Sequence, residues 1–97
     1  PISKGALLSY CRTLSVETAK RGITVNYVAP GFVDTDMMAP YAAYRTEMER
    51  QIPAGRFASP DDVAAVVAFL VGPGAGYVTG AVLPVDGGLS AMLGVHR

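Results

Sequence analysis

The stretch Ile23-Thr-Val-Asn-Tyr-Val-Ala-Pro-Gly-Phe-Val-Asp-Thr-Asp-Met37 decides the fold, because in it a short apolar run stops abruptly at Pro30-Gly31. The run contains β-branched and aromatic residues and is bounded by Gly22 and Pro30, which favours a strand over a helix of this length. Its apolar side chains fall on both faces, as expected of a buried parallel strand covered by helices on each side. Ligands of open α/β sheets bind beyond the carboxyl ends of the strands, so we expect a ligand-binding loop to begin at Pro30.

A helix is predicted to precede this strand, over residues 1–21. Four residues that recur at helical intervals form its predicted apolar face: Leu7, Tyr10, Cys11 and Leu14. Lys20 and Arg21 lie in the last predicted turn, where cations complement the helix dipole, and Gly22 is a typical helix stop. A helix that runs directly into a strand is typical of α/β proteins.

The rest of the chain continues this alternation. Residues 36–52 suggest one or two short helices broken at Pro40, and the start Ser59-Pro60-Asp61-Asp62 predicts a helix from about Pro60 to Val71. A second strand is predicted over residues 81–86. Two strands of the buried type cannot cover their own edges, so we expect further strands to precede Pro1.

Composition narrows the function classes. The 97 residues fit one domain, and 51% hydrophobic with 16% charged residues predicts a substantial core. A net charge of +0 provides no broad field for nucleic acid or an anionic membrane. One cysteine, Cys11, and one histidine, His96, in a tail expected to be solvated, give neither a disulfide nor a zinc cluster, so a reducing cytoplasm is expected. The longest apolar run, Val63–Val71, falls far short of the ~20 residues of a membrane span.

The loop after Pro30 carries the first candidate binding residues. Pro30 and Gly31 let backbone pass close to a flat ligand such as a nicotinamide ring, although the same pair also forms ordinary turns. Val33 offers a backbone donor and acceptor of the kind that a carboxamide requires, and the hydroxyl of Thr35 could bind that amide or a phosphate oxygen. The alternative for Thr35 is a helix N-cap. Lys4 is the other candidate, against the simpler interpretation of a solvated lysine.

Taken together, six blocks of sequence resemble, in order and spacing, the C-terminal part of short-chain dehydrogenases/reductases, and most closely 3-oxoacyl-[acyl-carrier-protein] reductases. They are Ser3–Leu7, Arg21–Asn26, Ala29–Thr35, Ile52–Arg56, Ser59–Ala64, and Thr79-Gly80 with Val85–Gly88. The resemblance implies an α/β fold, namely the C-terminal portion of a Rossmann-like doubly wound parallel sheet within a single NAD(P)-binding domain.

The resemblance also implies site residues. Lys4 matches the lysine of the family's Tyr-x-x-x-Lys pair, whose tyrosine would stand immediately before Pro1. In the family this lysine binds the nicotinamide-ribose hydroxyls and lowers the pKa of the tyrosine, the general acid or base of hydride transfer. The loop residues that resemble those holding the nicotinamide carboxamide and the pyrophosphate side of the cofactor are Pro30, Gly31, Val33 and Thr35. Asn26 matches an asparagine that ties the central sheet together.

Substrate and partners follow from the same comparison. Met37, Met38, Tyr41 and Tyr44 occupy the place of the family's mobile segment over the substrate, where flexible methionines suit an acyl chain, and the first three are the expected substrate contacts. Packing or a partner interface is the alternative for these three. The expected cofactor is NADP or NAD, with NADPH favoured, and the expected substrate is a small carbonyl compound or acyl thioester. A homodimer or homotetramer is expected, without nucleic acid or membrane.

Two other functions are compatible with the sequence. The chain could be a non-catalytic assembly module of the same fold, which a residue before Pro1 that is neither acidic nor phenolic would favour. It could also belong to a dehydrogenase of the same family that acts on a sugar, steroid or polyol.

Overall fold

The computed structural model describes the backbone of residues 3–95 and the side chains of residues 3–92, so that His96 lies outside the described residues. Four α-helices are formed by the described residues: α1 (Lys4–Thr18), α2 (Arg45–Arg50), α3 (Pro60–Val71) and α4 (Leu89–Val95). Three 3₁₀ segments accompany them, at Ala19–Arg21, Asp36–Tyr44 and Pro73–Ala75, and the strands are β1 (Tyr27–Pro30) and β2 (Val82–Val85).

The described part of the chain forms two compact units. The first unit contains residues 3–28 and 66–83, and the second contains residues 29–65 and 84–95. The single-domain assignment stays a prediction.

Strands β1 and β2 pair as a parallel two-stranded sheet, which confirms the predicted α/β architecture. The Tyr27 N–H donates to the Ala81 carbonyl at 2.9 Å, and the Gly31 N–H donates to the Val85 carbonyl at 3.0 Å. Both strands are shorter than predicted, and their residues are at most half-buried in the described chain. The prediction of a deeply buried strand from Ile23 is therefore wrong.

Side-chain hydrogen bonds take over part of the pairing before Tyr27, where the Gly80 N–H still donates to the Val25 carbonyl at 2.8 Å. The Val25 N–H donates to Thr79 Oγ1 at 3.0 Å. Asn26 donates from Nδ2 to the Val78 carbonyl at 3.1 Å and accepts at Oδ1 from the Ala81 N–H at 3.0 Å. The single amide of Asn26 thus takes the place of a ladder step, and the structural role expected for this residue is visible in its contacts.

Helix α1 begins after Ser3, whose Oγ accepts a hydrogen bond from the Ala6 N–H at 3.2 Å. Its last α-helical residue is Thr18, and a 3₁₀ turn continues to Gly22, whose φ of 73° is the left-handed conformation that glycine adopts readily. The predicted stop at Gly22 is confirmed. The helix itself ends three residues earlier than the predicted span of 1–21.

The predicted apolar face of α1 is wrong for the described chain. Leu7 is 38% exposed and Tyr10 is 63% exposed, while the buried residues of the helix are Ser15 and Thr18. Burial of these hydroxyls is tolerated because each donates to a carbonyl of its own helix, Ser15 to Arg12 at 2.6 Å and Thr18 to Leu14 at 2.9 Å.

Helix α3 has the predicted bounds because its start is capped reciprocally. The Ser59 N–H donates to Asp62 Oδ2 at 2.8 Å, and Ser59 Oγ accepts from the Asp62 N–H at 3.2 Å. Arg56 also donates to Asp62 Oδ2 at 2.9 Å. Mainly through the Arg56 hydrogen bond, and next through the Ser59 N–H, the pKa of Asp62 is lowered to about 2.

The predicted helix break at Pro40 is not observed. The 3₁₀ segment Asp36–Tyr44 runs through Pro40, and the change to α-helix comes at Arg45. Proline fixes φ near the value that both kinds of helix use, so it can stand in a 3₁₀ segment whose hydrogen bonds do not need its N–H.

The hydrophobic core of the described residues is small, contrary to the expectation from composition. The buried apolar residues are Ile52, Phe57 and Ala75. Large apolar side chains that stay exposed are Leu7, Tyr10, Val16, Ile23, Met37, Tyr41, Tyr44, Val67, Phe69, Val71 and Tyr77. Two short strands and a few helices enclose too small an interior to bury these side chains.

Candidate functional site

The candidate site begins where β1 ends, in the loop of residues 31–35. A Cβ atom added to Gly31 would lie 2.8 Å from the Cβ of Asp86, closer than real side chains approach. Glycine at this position is thus explained by the close passage of the chain beside the end of β2. Pro30, the last residue of β1, is exposed.

Val33 presents an unused backbone donor and acceptor. It forms an isolated parallel bridge with Ala58, in which the Ala58 N–H donates to the Phe32 carbonyl at 2.9 Å and the Asp34 N–H donates to the Ala58 carbonyl at 2.8 Å. Both bonds use groups of the residues that flank Val33. Among the hydrogen bonds of the described residues, none uses the N–H or C=O of Val33 itself, and the alternation of an extended chain directs these two groups to the side away from Ala58.

Thr35 occupies the N-cap position of the 3₁₀ segment, as the simpler interpretation expected. Its hydroxyl nevertheless makes no capping hydrogen bond, and its backbone carbonyl accepts from the Met38 N–H at 2.9 Å. Thr35 is exposed, so the hydroxyl is accessible from solvent. A free hydroxyl two residues after a free amide and carbonyl suits a ligand that carries a carboxamide.

A cleft of about 360 Å³ in the second unit adjoins this loop. It is lined by Asp34, Thr35, Asp36, Met38, Ala39, Tyr41, Ala42, Arg45 and Phe57. The cleft therefore brings together Thr35, a predicted cofactor-binding residue, and Met38 and Tyr41, predicted substrate-binding residues. Met37 is not among its lining residues and is 84% exposed.

An ion pair that the sequence analysis did not predict lies on the rim of this cleft. Arg45 donates to both carboxylate oxygens of Asp34, from Nη1 at 3.1 Å and from Nη2 at 3.0 Å. The same guanidinium lies 4.7 Å from the centre of the Phe57 ring, and its Nε is 3.6 Å from Glu49 Oε1. The hydrogen bond from Arg45 lowers the pKa of Asp34, and the same bond raises the pKa of Arg45.

Lys4 is the first residue of α1 and belongs to the first unit, whereas the loop residues and the cleft belong to the second. Its side chain is exposed, and the first turn of α1 holds no acidic residue. A cation at this end of a helix is opposed by the helix dipole, so helix stability gives no reason for a lysine here. The tyrosine expected before Pro1 lies outside the described residues.

Cys11 is a free, half-buried thiol, and residues 3–95 contain no group of three or more His, Cys, Asp or Glu side chains that could hold a metal ion. Within those residues, every helix is too short or too polar to cross a bilayer.

Comparison with known proteins identifies relatives of this chain. Residues 1–90 match the profile of the family described as enoyl-(acyl carrier protein) reductase. Over 88 residues the chain is 44% identical to the 3-oxoacyl-[acyl-carrier-protein] reductase FabG of Vibrio cholerae and 48% identical to that of Pseudomonas aeruginosa. Each match covers 90% of this chain and 36% of the relative, so the chain spans about a third of the length of the curated relatives it matches.

Solved structures give the same answer for the fold. The chain superposes on YwfH, an NADPH dependent reductase involved in bacilysin biosynthesis, with a TM-score of 0.83 and 31% identity over 88% of this chain and 37% of that one. For a short chain dehydrogenase family protein from Francisella tularensis the TM-score is 0.81 and the identity 34%, over 91% of this chain and 41% of that one. The predicted partial Rossmann-like fold is confirmed. The chain belongs to the short-chain dehydrogenase/reductase family.

Proposed function

We propose that this chain is the C-terminal part of an NAD(P)H-dependent reductase that acts on 3-oxoacyl thioesters. The observation that carries the proposal is the unused backbone N–H and C=O of Val33, which stand beside the uncapped hydroxyl of Thr35. These groups match the donor and acceptor needs of a carboxamide. The identity of 43–48% to 3-oxoacyl-[acyl-carrier-protein] reductases supports the substrate class.

The proposed cofactor supplies the hydride for reduction of the substrate carbonyl. Val33 binds the carboxamide through its backbone, and the Thr35 hydroxyl adds a hydrogen bond to the amide or to a phosphate oxygen. Lys4 binds the ribose hydroxyls, and its positive charge favours the ionised form of the tyrosine expected before Pro1. NADPH is the favoured form, because the structurally similar YwfH is an NADPH dependent reductase.

The cleft beside Thr35 is proposed to receive the acyl part of the substrate. Met38 and Tyr41 give it an adaptable apolar wall, and its volume of about 360 Å³ lies within the range of small-molecule sites. Met37, exposed at the start of the same segment, is proposed to fold over the acyl chain once the substrate is bound. Packing or a partner interface is the competing role for these three residues.

Lys4→Ala is the first test of this proposal. In the complete protein that contains these residues, the substitution is expected to reduce turnover of an acetoacetyl thioester by roughly 10²-fold or more, because it removes the charge that activates the acid–base group. The measurement is NADPH oxidation together with NADPH affinity. Lys20→Ala, at the other end of the same helical stretch, is the matched control. Wild-type activity in Lys4→Ala would remove Lys4 from the mechanism.

The substrate class is tested by assaying several classes of compound side by side. The complete protein is assayed with NADPH and an acetoacetyl thioester or a crotonyl thioester, and with NADP+ or NAD+ and representative sugar, steroid and polyol alcohols, which give up a hydride instead of accepting one. An enoyl thioester reductase is the second candidate, since the matching family profile carries that description. Reduction of the crotonyl compound alone would favour it, and turnover of the alcohols alone would favour the polyol-type dehydrogenases.

Assembly and location are part of the proposal. A homodimer or homotetramer is supported by the exposed apolar side chains of α1 and α3, and a reducing cytoplasm by the free thiol of Cys11. The alternative of a non-catalytic assembly module predicts no NADPH binding by the complete protein.

A further inference from the structure

We infer that Arg45 is a positioning residue for the cofactor loop, holding residues 33–35 in the conformation that presents the Val33 backbone and the Thr35 hydroxyl. The inference rests on the proposed function of that loop. It assigns a role to a residue that no feature of the sequence singled out.

The first route from Arg45 to the loop runs through Asp34. The two parallel hydrogen bonds, at 3.1 and 3.0 Å, fix the carboxylate in both distance and plane. Asp34 stands between Val33 and Thr35, and its own N–H is held by the Ala58 carbonyl at 2.8 Å. Asp34 is therefore tied by its side chain and its backbone to two different segments, which restricts the peptide groups on both sides of it.

The second route runs through Phe57. This ring is 5% exposed, and it stacks at 5.7 Å against Phe32, the residue before Val33. Arg45 covers the Phe57 ring at 4.7 Å, within the range of a cation–π contact. Phe57 is followed by Ala58, the bridge partner of Val33. Arg45 thus packs on the element that fixes Val33 as well as bonding to the residue after it.

An ordinary surface ion pair would not have this geometry. The side chains of Arg45 and Asp34 are 42% and 51% exposed, and exposed pairs contribute little to stability. Arg50 illustrates the ordinary case, since it meets Glu47 at 3.5 Å through a single contact within one helix. Arg45 differs because it joins the start of α2 to the loop and the aromatic pair, so its effect is expected on loop geometry rather than on overall stability.

The test is NADPH affinity of the complete protein, measured by fluorescence titration. Arg45→Ala is expected to raise the Kd for NADPH roughly three- to tenfold, while the thermal midpoint moves by less than about 4 °C. Arg45→Lys keeps the charge but loses the planar fork and the stacking, and is expected to remain roughly threefold or more weaker than wild type. Arg50→Ala, the matched control, stays within about twofold of wild type.

A double-variant cycle separates positioning from general damage. Because Arg45 acts partly through Asp34, the two substitutions should not act independently. In the double variant with Arg45→Ala and Asp34→Asn, the Kd for NADPH should rise by less than the product of the two single-variant increases. If Arg45→Ala does not fold, as judged by circular dichroism, Arg45→Lys and Asp34→Asn decide the question.

Wild-type affinity in folded Arg45→Ala or Arg45→Lys, or strictly multiplicative effects in the cycle, would overturn the inference and leave the proposed reductase intact. Absence of NADPH binding by the wild-type protein would overturn both the inference and the proposed function.

Discussion

At the scale of single residues, Asn26 shows how one side chain can stand in for secondary structure. Its amide joins two points of the segment before β2, donating to the Val78 carbonyl and accepting from the Ala81 N–H. Both partners are backbone groups, so loss of the amide leaves a donor and an acceptor without their bonds.

Asn26→Leu is therefore expected to lower the free energy of unfolding of the complete protein by roughly 1–3 kcal/mol, measured by urea denaturation. Thr79→Val, which removes the single acceptor of the exposed bond from the Val25 N–H, is the smaller matched change. Equal stability of Asn26→Leu and wild type would show that water replaces the amide without loss.

Residue-scale prediction from sequence succeeded where a residue's own chemistry marked it, and failed where a pair was needed. Gly22 was predicted as a helix stop, and the structural role of Asn26 followed from the family resemblance. The Asp34–Arg45 pair was missed because eleven residues separate its members and Arg45 lies among other charges of α2 that look alike in sequence. The close approach of Asp86 to Gly31 was missed for a similar reason, since it depends on how β2 ends.

At the scale of elements, α3 was predicted with its observed bounds because its start is written locally, in Ser59 and the acids that follow. Strand β1 was predicted too long because β propensity cannot show that Asn26 will replace a ladder step. The face of α1 was predicted wrongly because hydroxyl side chains were not counted as buried, although Ser15 and Thr18 satisfy themselves within the helix.

The cap of α3 also makes a pH prediction. The pKa of Asp62 in the folded chain, about 2, lies below its ordinary value of 3.8, so the ionised form stabilises the fold above about pH 4. This contribution is lost as the pH falls from about 4 through 2, when Asp62 becomes protonated.

Asp62→Asn should therefore flatten the dependence of the thermal midpoint on pH in that window, relative to wild type. Asp61→Asn, which leaves the contacts of Asp62 in place, is the matched control. An unchanged slope in Asp62→Asn would show that its carboxylate does not stabilise the folded state.

At the scale of the whole molecule, the contrast is between an apolar composition and a small interior. Half of the residues are hydrophobic, yet in the described part of the chain three apolar residues are buried. Composition predicted how much apolar surface the chain carries, and could not say where that surface is covered. The curated relatives are about two and a half times as long as this chain, which spans about a third of their length.

The proposed assembly can be tested on the exposed face of α1, where Leu7 and Tyr10 stand three residues apart. In the complete protein, Tyr10→Asp is expected to weaken self-association roughly tenfold or more, because it places a charge in an apolar contact. Sedimentation velocity over a range of concentrations measures the effect. Glu17→Gln, a polar change on the same helix, is the control, and unaltered association in Tyr10→Asp would exclude this face from the interface.

The bridge to Ala58 leaves the backbone N–H and C=O of Val33 for the proposed contact with a carboxamide, and this limits which substitutions could remove that contact. Because these two groups belong to the main chain, most amino-acid substitutions at position 33 would keep both of them. Proline is the exception among the encoded amino acids, since it lacks the amide hydrogen. Other substitutions of Val33 are therefore expected to keep the proposed contact. Proline at this position, or an ester in place of the peptide bond, would remove the donor.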